Sequence, residues 1–466
     1  MPDDALLDLL LAQLRPAPRR LLVVGFGAAG AVEAGAVERV TRPEEAAGEG
    51  FDAAVVDGRQ IHPDAAAEAL GRIHRRLADR GQLLVAVPVA SSFGDLAPAT
   101  EERWRRLVAA LSVLGTAWRR DRELAAEGAA RWRLLAGRKD AYAIRSYRPG
   151  DEEAIVALFH RSFHPGRSLA GWRWKYRENP WGGPLISLAH APGGSLACHY
   201  AGYPLPFLLD GRRLLAMHMG DTMSAAEHRD VGRGRSSLLA RTVRHFFARH
   251  RDGRFAFYFG FNTGPIQRFC EWFIGGSAYG GVCYRARDLD VAGAPPYAAD
   301  RRYRAAPLER AGAACDRLLR RAGRAYGFLL ARDAAYLDWR YLRPPDERYV
   351  VLAAYRLRRL VGWGVFRRQG DVLTWGDALF HPRHAAASAN LLAAALDHPE
   401  LRGARRLEAW FPSHPPFWHR RLEQLGLEIR PEPQDLGLVY LADHPAAAAA
   451  LSQRRLYYAK GDGDLF

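Results

Sequence analysis

The chain has 466 residues, four cysteines, a formal charge of +16 and 48% apolar side chains. Its length predicts two to four domains with sizeable cores, and four cysteines without C-x-x-C spacing exclude a disulfide scaffold and a structural zinc site. The charge comes from Arg, with Lys confined to Lys139, Lys175 and Lys460, and without a basic run interleaved with aromatics it predicts no nucleic-acid partner.

MPDDALLDLLLAQLRP reads as an amphipathic helix with neither a basic leader nor a small-residue cleavage site. No 18-residue apolar span follows, so the expectation is a cytoplasmic protein with no membrane partner. LLVVGFGAAG (21–30) reads as a buried strand closed by Gly25, Gly27 and Gly30 in a G-x-G-x-x-G. A short helix (AAGAVEAGA), a strand (VERVTR) and a second strand (FDAAVVDG, 51–58) come next. They are followed by a helix near 64–79, a strand (GQLLVAVP, 81–88), a helix near 101–113 and a closing hairpin of TAWRRDREL and ARWRLLAG. Strands alternating with helices predict a doubly wound, Rossmann-like parallel α/β sheet.

Over about 18–140 this pattern resembles the class I methyltransferase domain. About twenty residues separate Gly30 from Phe51, too few for the helix, acid-tipped strand, second helix and third strand that a full cofactor site needs. VERVTR ends in Thr41-Arg42, with Glu44 and Glu45 beyond Pro43. The resemblance therefore implies a reduced domain, residues 1–140, in which S-adenosylmethionine is not expected.

A new pattern starts at YAIRSYRPGDEEAIVALFHRSF (142–163), a strand, a turn and a helix beginning near Asp151. Three strands follow, LISLAHA (185–191), SLACHYAGYPLPFLLDG (195–211) and RRLLAMHMGDTMS (212–224). Then Arg229-Asp-Val-Gly232-Arg-Gly234 leads into a helix whose apolar face is Leu238, Leu239, Val243, Phe246 and Phe247. A glycine turn feeding a helix N-terminus points N–H groups at an anion, Gly232 and Gly234 allow close backbone approach, and Arg229, Arg233 and Arg235 add charge.

The R-x-x-G-x-G loop, with the strand RFAFYFGFNTG (254–264) and helix PIQRFCEWF (265–273) after it, resembles the GNAT acyltransferase superfamily over 142–285. The resemblance implies an α+β lobe, mostly antiparallel with helices, that uses acetyl-CoA as co-substrate. It places the pyrophosphate on Arg229, Val231, Gly232, Arg233, Gly234, Arg235 and Ser236, and the pantetheine along Thr222, Met223 and Ser224. It suggests Asp221 as general base, with His218 and Glu227 as rivals. The family's acidic Tyr has no match, since seven residues beyond Asn262 stands Phe269, with Cys270 beside it and Tyr258 before the helix. Relatives read G-F-P-N where this chain has Gly260-Phe261-Asn262-Thr263, so Asn262 is a cofactor-side candidate that departs from the pattern.

Trp174-Lys-Tyr176-x-x-x-Pro180 is repeated as Trp339-Arg-Tyr341-x-x-x-Pro345, and Gly220-Asp221 as Gly376-Asp377. The repeat predicts a second, degenerate GNAT-like lobe in 331–466, because HPRHAAASAN replaces the glycine loop. Asp377, retained without a cofactor loop, favours a structural role for Asp221 too, and the Trp motif reads as lobe packing. Residues 286–330 read as a linker plus a connecting helix. No histidine spacing predicts a metal. Some tandem GNAT aminoglycoside acetyltransferases use a terminal carboxylate as base; the tail ending at Phe466 matches only in position, and a frayed or docked tail is the other reading. The combined expectation is an acetyl-CoA-dependent N-acyltransferase acting on an amine of a small molecule or sugar, with oligomeric state left open. A non-catalytic CoA-binding scaffold and a bifunctional methyl- and acetyltransferase are the alternatives.

Overall fold

The computed structural model describes residues 3–14, 18–26, 36–40, 42, 45, 47–89, 106–107, 116–125, 131–139, 142–163, 166–191, 194–231, 234–289 and 297–466. Gly27, Gly30, Glu44, Gly232, Arg233, the short helix after Gly30, nearly all of the helix near 101–113 and the first part of the linker lie outside them. The chain divides into two compact units. One holds residues 1–148, 187–200 and 223–250, the other 149–186, 201–222 and 251–466. The boundaries expected at 140, 285 and 330 do not coincide with this division, because the strands Leu196–Leu209 and Arg212–Ser224 contribute residues to both units.

In the first unit six strands form one sheet, ordered Ala36–Val40, Arg20–Val24, Phe51–Asp57, Leu77–Val89, Arg131–Lys139, Thr116–Ala125. The first four are parallel and the last two close the edge as an antiparallel hairpin. Period-2 alternation packs both faces. Leu22, Val24 and Val56 meet Leu70 and Ile73 of the helix Ala66–Arg76, while Leu21, Val23 and Val55 meet Leu6, Leu7 and Leu10 of the helix Asp3–Leu11. Gly25 turns the first strand at φ +85°, where a Cβ would strike Gln60. The short return from Ala36–Val40 to Phe51–Asp57 is tied by the Glu38 carboxylate, which accepts from the N–H groups of Ala47 (2.6 Å) and Gly48 (2.9 Å).

Elsewhere in this unit Ala143–Ser146 pairs antiparallel with Leu185–His190. The helix Leu238–His250 buries Leu238, Val243 and Phe246, with Phe246 edge-on to Tyr200 at 5.2 Å and His245 Nδ1 2.8 Å from Ser187 Oγ.

The second unit carries two sheets. The first runs Ser277–Gly281, Gly437–Ala442, Phe257–Asn262, Arg212–Ser224, Leu196–Leu209, Phe328–Leu330, Leu456–Tyr457. The second runs Arg304–Pro307, Val350–Arg356, Arg359–Gln369, Val372–Phe380, Arg406–Trp410, Tyr284–Asp288, Glu428–Ile429. The first contains two parallel pairs, Arg212–Ser224 with Phe257–Asn262 and Phe328–Leu330 with Leu456–Tyr457, and the second contains one, Val372–Phe380 with Arg406–Trp410. The sheets exchange strands. Tyr284–Asp288, which follows the first sheet's Ser277–Gly281 in the chain, pairs with Arg406–Trp410 of the second, and Gly437–Ala442, which follows the second sheet's Glu428–Ile429, lies between Phe257–Asn262 and Ser277–Gly281 of the first. The region 286–330 is therefore more than a linker: its residues 286–288 and Arg304–Pro307 are sheet strands, and Ala313–Tyr326 is the expected helix. Phe207, Phe257, Phe259 and Phe328 interlock in the first sheet and Trp375, Phe380, Phe411 and Trp418 beside the second, each buried ring contributing roughly 1.5–3 kcal/mol. No described helix is long and apolar enough to cross a membrane.

Candidate functional site

In the first unit the segment after Ser224 folds as a 3₁₀ turn (Ala226–His228), a loop, a second 3₁₀ turn (Gly234–Ser236) and the helix Leu238–His250. The loop is pinned at its ends. Arg229 Nε donates to the Ser224 carbonyl at 3.2 Å, and the Leu238 N–H donates to the Val231 carbonyl at 2.9 Å. Gly234 is left-handed at φ +54°, with open space where a Cβ would stand. Among the described residues, Arg229, Arg235 and Arg244 make no ion pair with a carboxylate. Burial, then the charges of Arg241 and Arg235, pull Arg244 down to about 10, and its buried Nε has no hydrogen-bond partner among the described residues. An unsatisfied buried guanidinium N–H in a surplus of positive charge costs free energy that a bound anion would recover. Glu227 is exposed on the first turn. Met223 is buried, and Ser224 Oγ lies 3.4 Å from Cys198 Sγ.

The other candidate residues, His218, Asp221, Thr222 and Asn262, belong to the second unit. Asp221 stands at φ +53° on the Arg212–Ser224 strand. It accepts from Tyr176 Oη at 2.7 Å, from Lys175 Nζ at 3.2 Å and from Arg167. Burial works against its charge, but Arg167 and Lys175 outweigh burial and hold the carboxyl below its ordinary range. Asp464 accepts from Lys175 Nζ at 2.8 Å and Tyr203 Oη at 2.9 Å, and the same balance holds it low. His218 is buried between the rings of Tyr203 and Phe259, each 4.9 Å away. Neither ring nitrogen has a partner among the described residues, and burial pulls it down to about 4. Asn262 ends its strand opposite Gly437.

The later half repeats the cluster. Asp377 accepts from Arg332 Nε at 2.7 Å, Tyr341 Oη at 2.8 Å and the Ala378 N–H at 2.7 Å, at a register shift in its strand. Arg332 and Arg340 stand where Arg167 and Lys175 stand in the earlier half. The tail docks against both copies. Asp462 accepts from Arg332 Nη2 at 2.7 and 2.8 Å, and Arg340 donates to the carbonyls of Gly461, Gly463 and Phe466 at 3.1–3.2 Å. Each Gly of the Gly-Asp pairs clears space for this tail: a Cβ on Gly220 would overlap the Asp464 carboxylate, and one on Gly376 the Phe466 ring. A cavity of about 220 Å³ opens here, with Arg167, Lys175, Tyr203 and Asp464 on one wall and Trp174 and Trp339 on another.

Sequence reasoning passed over Arg167, Tyr203 and Asp464, and read Lys175 only as part of a packing motif. The Trp-Lys-Tyr repeat pointed at the cluster, but nothing local marks a tail aspartate as its counter-ion. No described group of His, Cys, Asp and Glu could hold a metal ion, and all four thiols are free.

No family model and no curated protein sequence matches the chain. Among solved structures it is similar to a GCN5-related N-acetyltransferase from Anabaena variabilis ATCC 29413 (14% identity, 64% of this chain and 72% of that one, TM-score 0.47). A GCN5-related N-acetyltransferase from Kribbella flavida is also similar (18%, 66% and 73%, 0.45). So is Saccharomyces cerevisiae N-myristoyltransferase with bound myristoyl-CoA (8%, 65% and 79%, 0.43). With every TM-score below 0.5, these likenesses carry no argument about chemistry.

Proposed function

We propose that the chain is an N-acyltransferase of the cytoplasm, in which an amine of a small molecule or sugar attacks the thioester of acetyl-CoA directly. The observation that carries this reading is the strand–loop–helix from Ser224 through the helix Leu238–His250, whose arginines Arg229, Arg235 and Arg244 have no carboxylate partner among the described residues and whose helix N-terminus follows a glycine turn. In this reading the loop from Arg229 to Ser236, with Gly232 and Arg233, holds the pyrophosphate. Met223 and Ser224, in the same unit as the loop, lie along the pantetheine. The amine nitrogen bonds to the acyl carbon, the carbon–sulfur bond breaks, the ammonium loses a proton to a base and the thiolate gains one.

Of the three base candidates, Asp221 is fully engaged by three donors and His218 is sealed among rings, whereas Glu227 is an exposed carboxylate without an ion pair among the described residues. The geometry therefore favours Glu227 as base and Asp221 as a structural counter-ion. The engaged Asp221 and the absence of Tyr from the helix Gly264–Phe269 also support the second reading, a CoA-binding protein without turnover.

Calorimetric titration of the full chain with acetyl-CoA and, separately, S-adenosylmethionine tests the assignment. Binding of acetyl-CoA with thiol release in the presence of amines supports the transferase, and binding without release supports the scaffold. S-adenosylmethionine binding would support the bifunctional reading. Binding of neither would remove the CoA assignment.

A further inference from the structure

The helix Ala313–Tyr326 and the hairpin joining Val350–Arg356 to Arg359–Gln369 enclose a groove of about 510 Å³. Arg317, Arg321, Arg356, Arg358, Arg359 and His384 line it, and its remaining wall is aliphatic, without a carboxylate or a six-membered aromatic ring. None of the five arginines makes an ion pair among the described residues.

The arrangement is disfavoured in isolation. Arg317 and Arg321 are four apart on one helix, and Arg356 and Arg359 lie directly opposite in the antiparallel ladder. Like charges at both spacings repel. The turn between the strands places Leu357 at φ +54° and 92% exposed, conformational strain with no burial in return. Neighbouring charges also act on the groove's other groups: after desolvation, Arg359, Arg317 and Arg320 lower Arg321, and His381, Arg356 and Arg359 lower His384.

From this geometry we infer that the groove is a second anion site, for a compact ligand carrying a pyrophosphate or triphosphate. Its volume is that of a small-molecule pocket, guanidinium forks match phosphate oxygens in pairs, and a lining whose one ring is the His384 imidazole offers no platform for successive bases of single-stranded nucleic acid. His384 belongs to HPRHAAASAN, the segment standing where a glycine loop would be expected in this half of the chain. Here arginines from neighbouring elements supply the charge instead. The inference does not depend on the acyltransferase reading.

The test is calorimetric titration of the full chain with inorganic triphosphate, in an Arg229→Ala/Arg235→Ala background that removes the other basic loop. The expected result is saturable one-to-one binding, weakened at least about tenfold in Arg321→Glu/Arg359→Glu, with the thermal midpoint retained because these side chains are peripheral. Displacement by ATP or by acetyl-CoA then assigns the source of the phosphates. Unsaturable binding, or equal affinity in the charge-reversed chain, overturns the site. Tighter binding of a short DNA duplex or of anionic phospholipid vesicles, lost in the same variant, overturns the small-ligand assignment.

Discussion

Trp174 and Trp339 stack with centroids 5.0 Å apart and planes 20° from parallel, and each indole N–H donates to the other residue's carbonyl, at 2.7 and 3.1 Å. Reciprocal contacts between residues 165 apart are what a local two-fold relation between two copies of one motif produces. The Trp-Lys/Arg-Tyr repeat is thus a seam between the two copies: its Trp residues meet, its Tyr residues hold Asp221 and Asp377, and its cations hold the tail.

Truncating either indole removes the stack and strands the other's N–H. Trp339→Ala, at 2% exposure, is expected to cost about 3–5 kcal/mol and Trp174→Ala somewhat less. Because the stack and both hydrogen bonds are shared between the two, the double variant should fall short of the sum by about 1–3 kcal/mol. Urea unfolding of the four chains measures this, and additive losses would mean the repeat is not an energetic pair.

Gly220 and Gly376 are needed for a different reason. A methyl group at either would overlap a tail side chain, Asp464 or Phe466. Gly376→Ala is expected to undock the tail, and Gly220→Ala to displace Asp464 from Lys175. Limited proteolysis read by mass spectrometry should show cleavage within 460–466 rising several-fold in Gly376→Ala while the sheets stay protected. An unchanged cleavage pattern would separate the Gly-Asp pairs from the tail.

The parts legible in the sequence are those whose physics is local. Short apolar runs at 20–24 and 51–57, and the turn-bounded runs in 196–224, marked strands, and the glycines before Leu238 marked a strand-to-helix turn. The exchanged strands Tyr284–Asp288 and Gly437–Ala442 were not legible as exchanged, because their own alternation says nothing about which sheet they complete. The linker reading of 286–330 failed at its edges for the same reason: short strands such as Arg304–Pro307 draw their stability from partners far along the chain. At the site, Asp221 was found through the GNAT resemblance, and its repeat in Asp377 pointed to a structural role. Its partners Arg167 and Lys175, and the Lys175–Asp464 pair, depend on tertiary approach that no spacing encodes.

A comparison of Asp221 with Asp377 distinguishes a base from a counter-ion. Asp377 and Arg332 are both fully buried, and Asp221 is nearly so. Replacing either carboxylate by an amide leaves buried cations short of charge, at a cost of about 3–5 kcal/mol. Asp221→Asn and Asp377→Asn are therefore expected to lower the thermal midpoint alike and to leave acetyl-CoA affinity within about twofold. If Asp221→Asn instead kept its stability and lost only turnover, with Glu227→Gln fully active, the base assignment would return to Asp221.

Gly234 offers a cleaner probe of the loop. Nothing lies within 4 Å of a Cβ placed there, so the first carbon of a side chain meets no packed neighbour, although φ +54° adds about 1 kcal/mol of strain. Gly234→Trp should fold and lose at least about a hundredfold in acetyl-CoA affinity by filling the concavity. Wild-type affinity in a folded variant would remove the phosphate-cradle assignment.

His218 contributes to the pH behaviour of the second unit. Its folded pKa of about 4 lies below the ordinary 6.5, because burial between Tyr203 and Phe259 disfavours the imidazolium. The folded state stays neutral while the unfolded chain takes up a proton, so stability is unaffected above pH 6.5 and falls as the pH drops from 6.5 towards 4. A shift of this size amounts to about 3 kcal/mol across that window. Asp221 and Asp464 act in a lower range. Their folded pKa values are depressed, so the stability they contribute is present above the ordinary carboxylate pKa and is lost only as the pH falls through the lower folded values. His218→Phe keeps a ring between the two neighbours and removes the titration. Urea midpoints measured from about pH 8 to pH 4 should fall more steeply below 6.5 in the parent chain than in His218→Phe, where the lowered His381, His384 and His414 still favour the unfolded chain on acidification and Asp462, raised by burial to about 6, acts the other way. Parallel curves for the two chains would mean that a proton reaches His218 in the folded state, and that the space between Tyr203 and Phe259 is open to water.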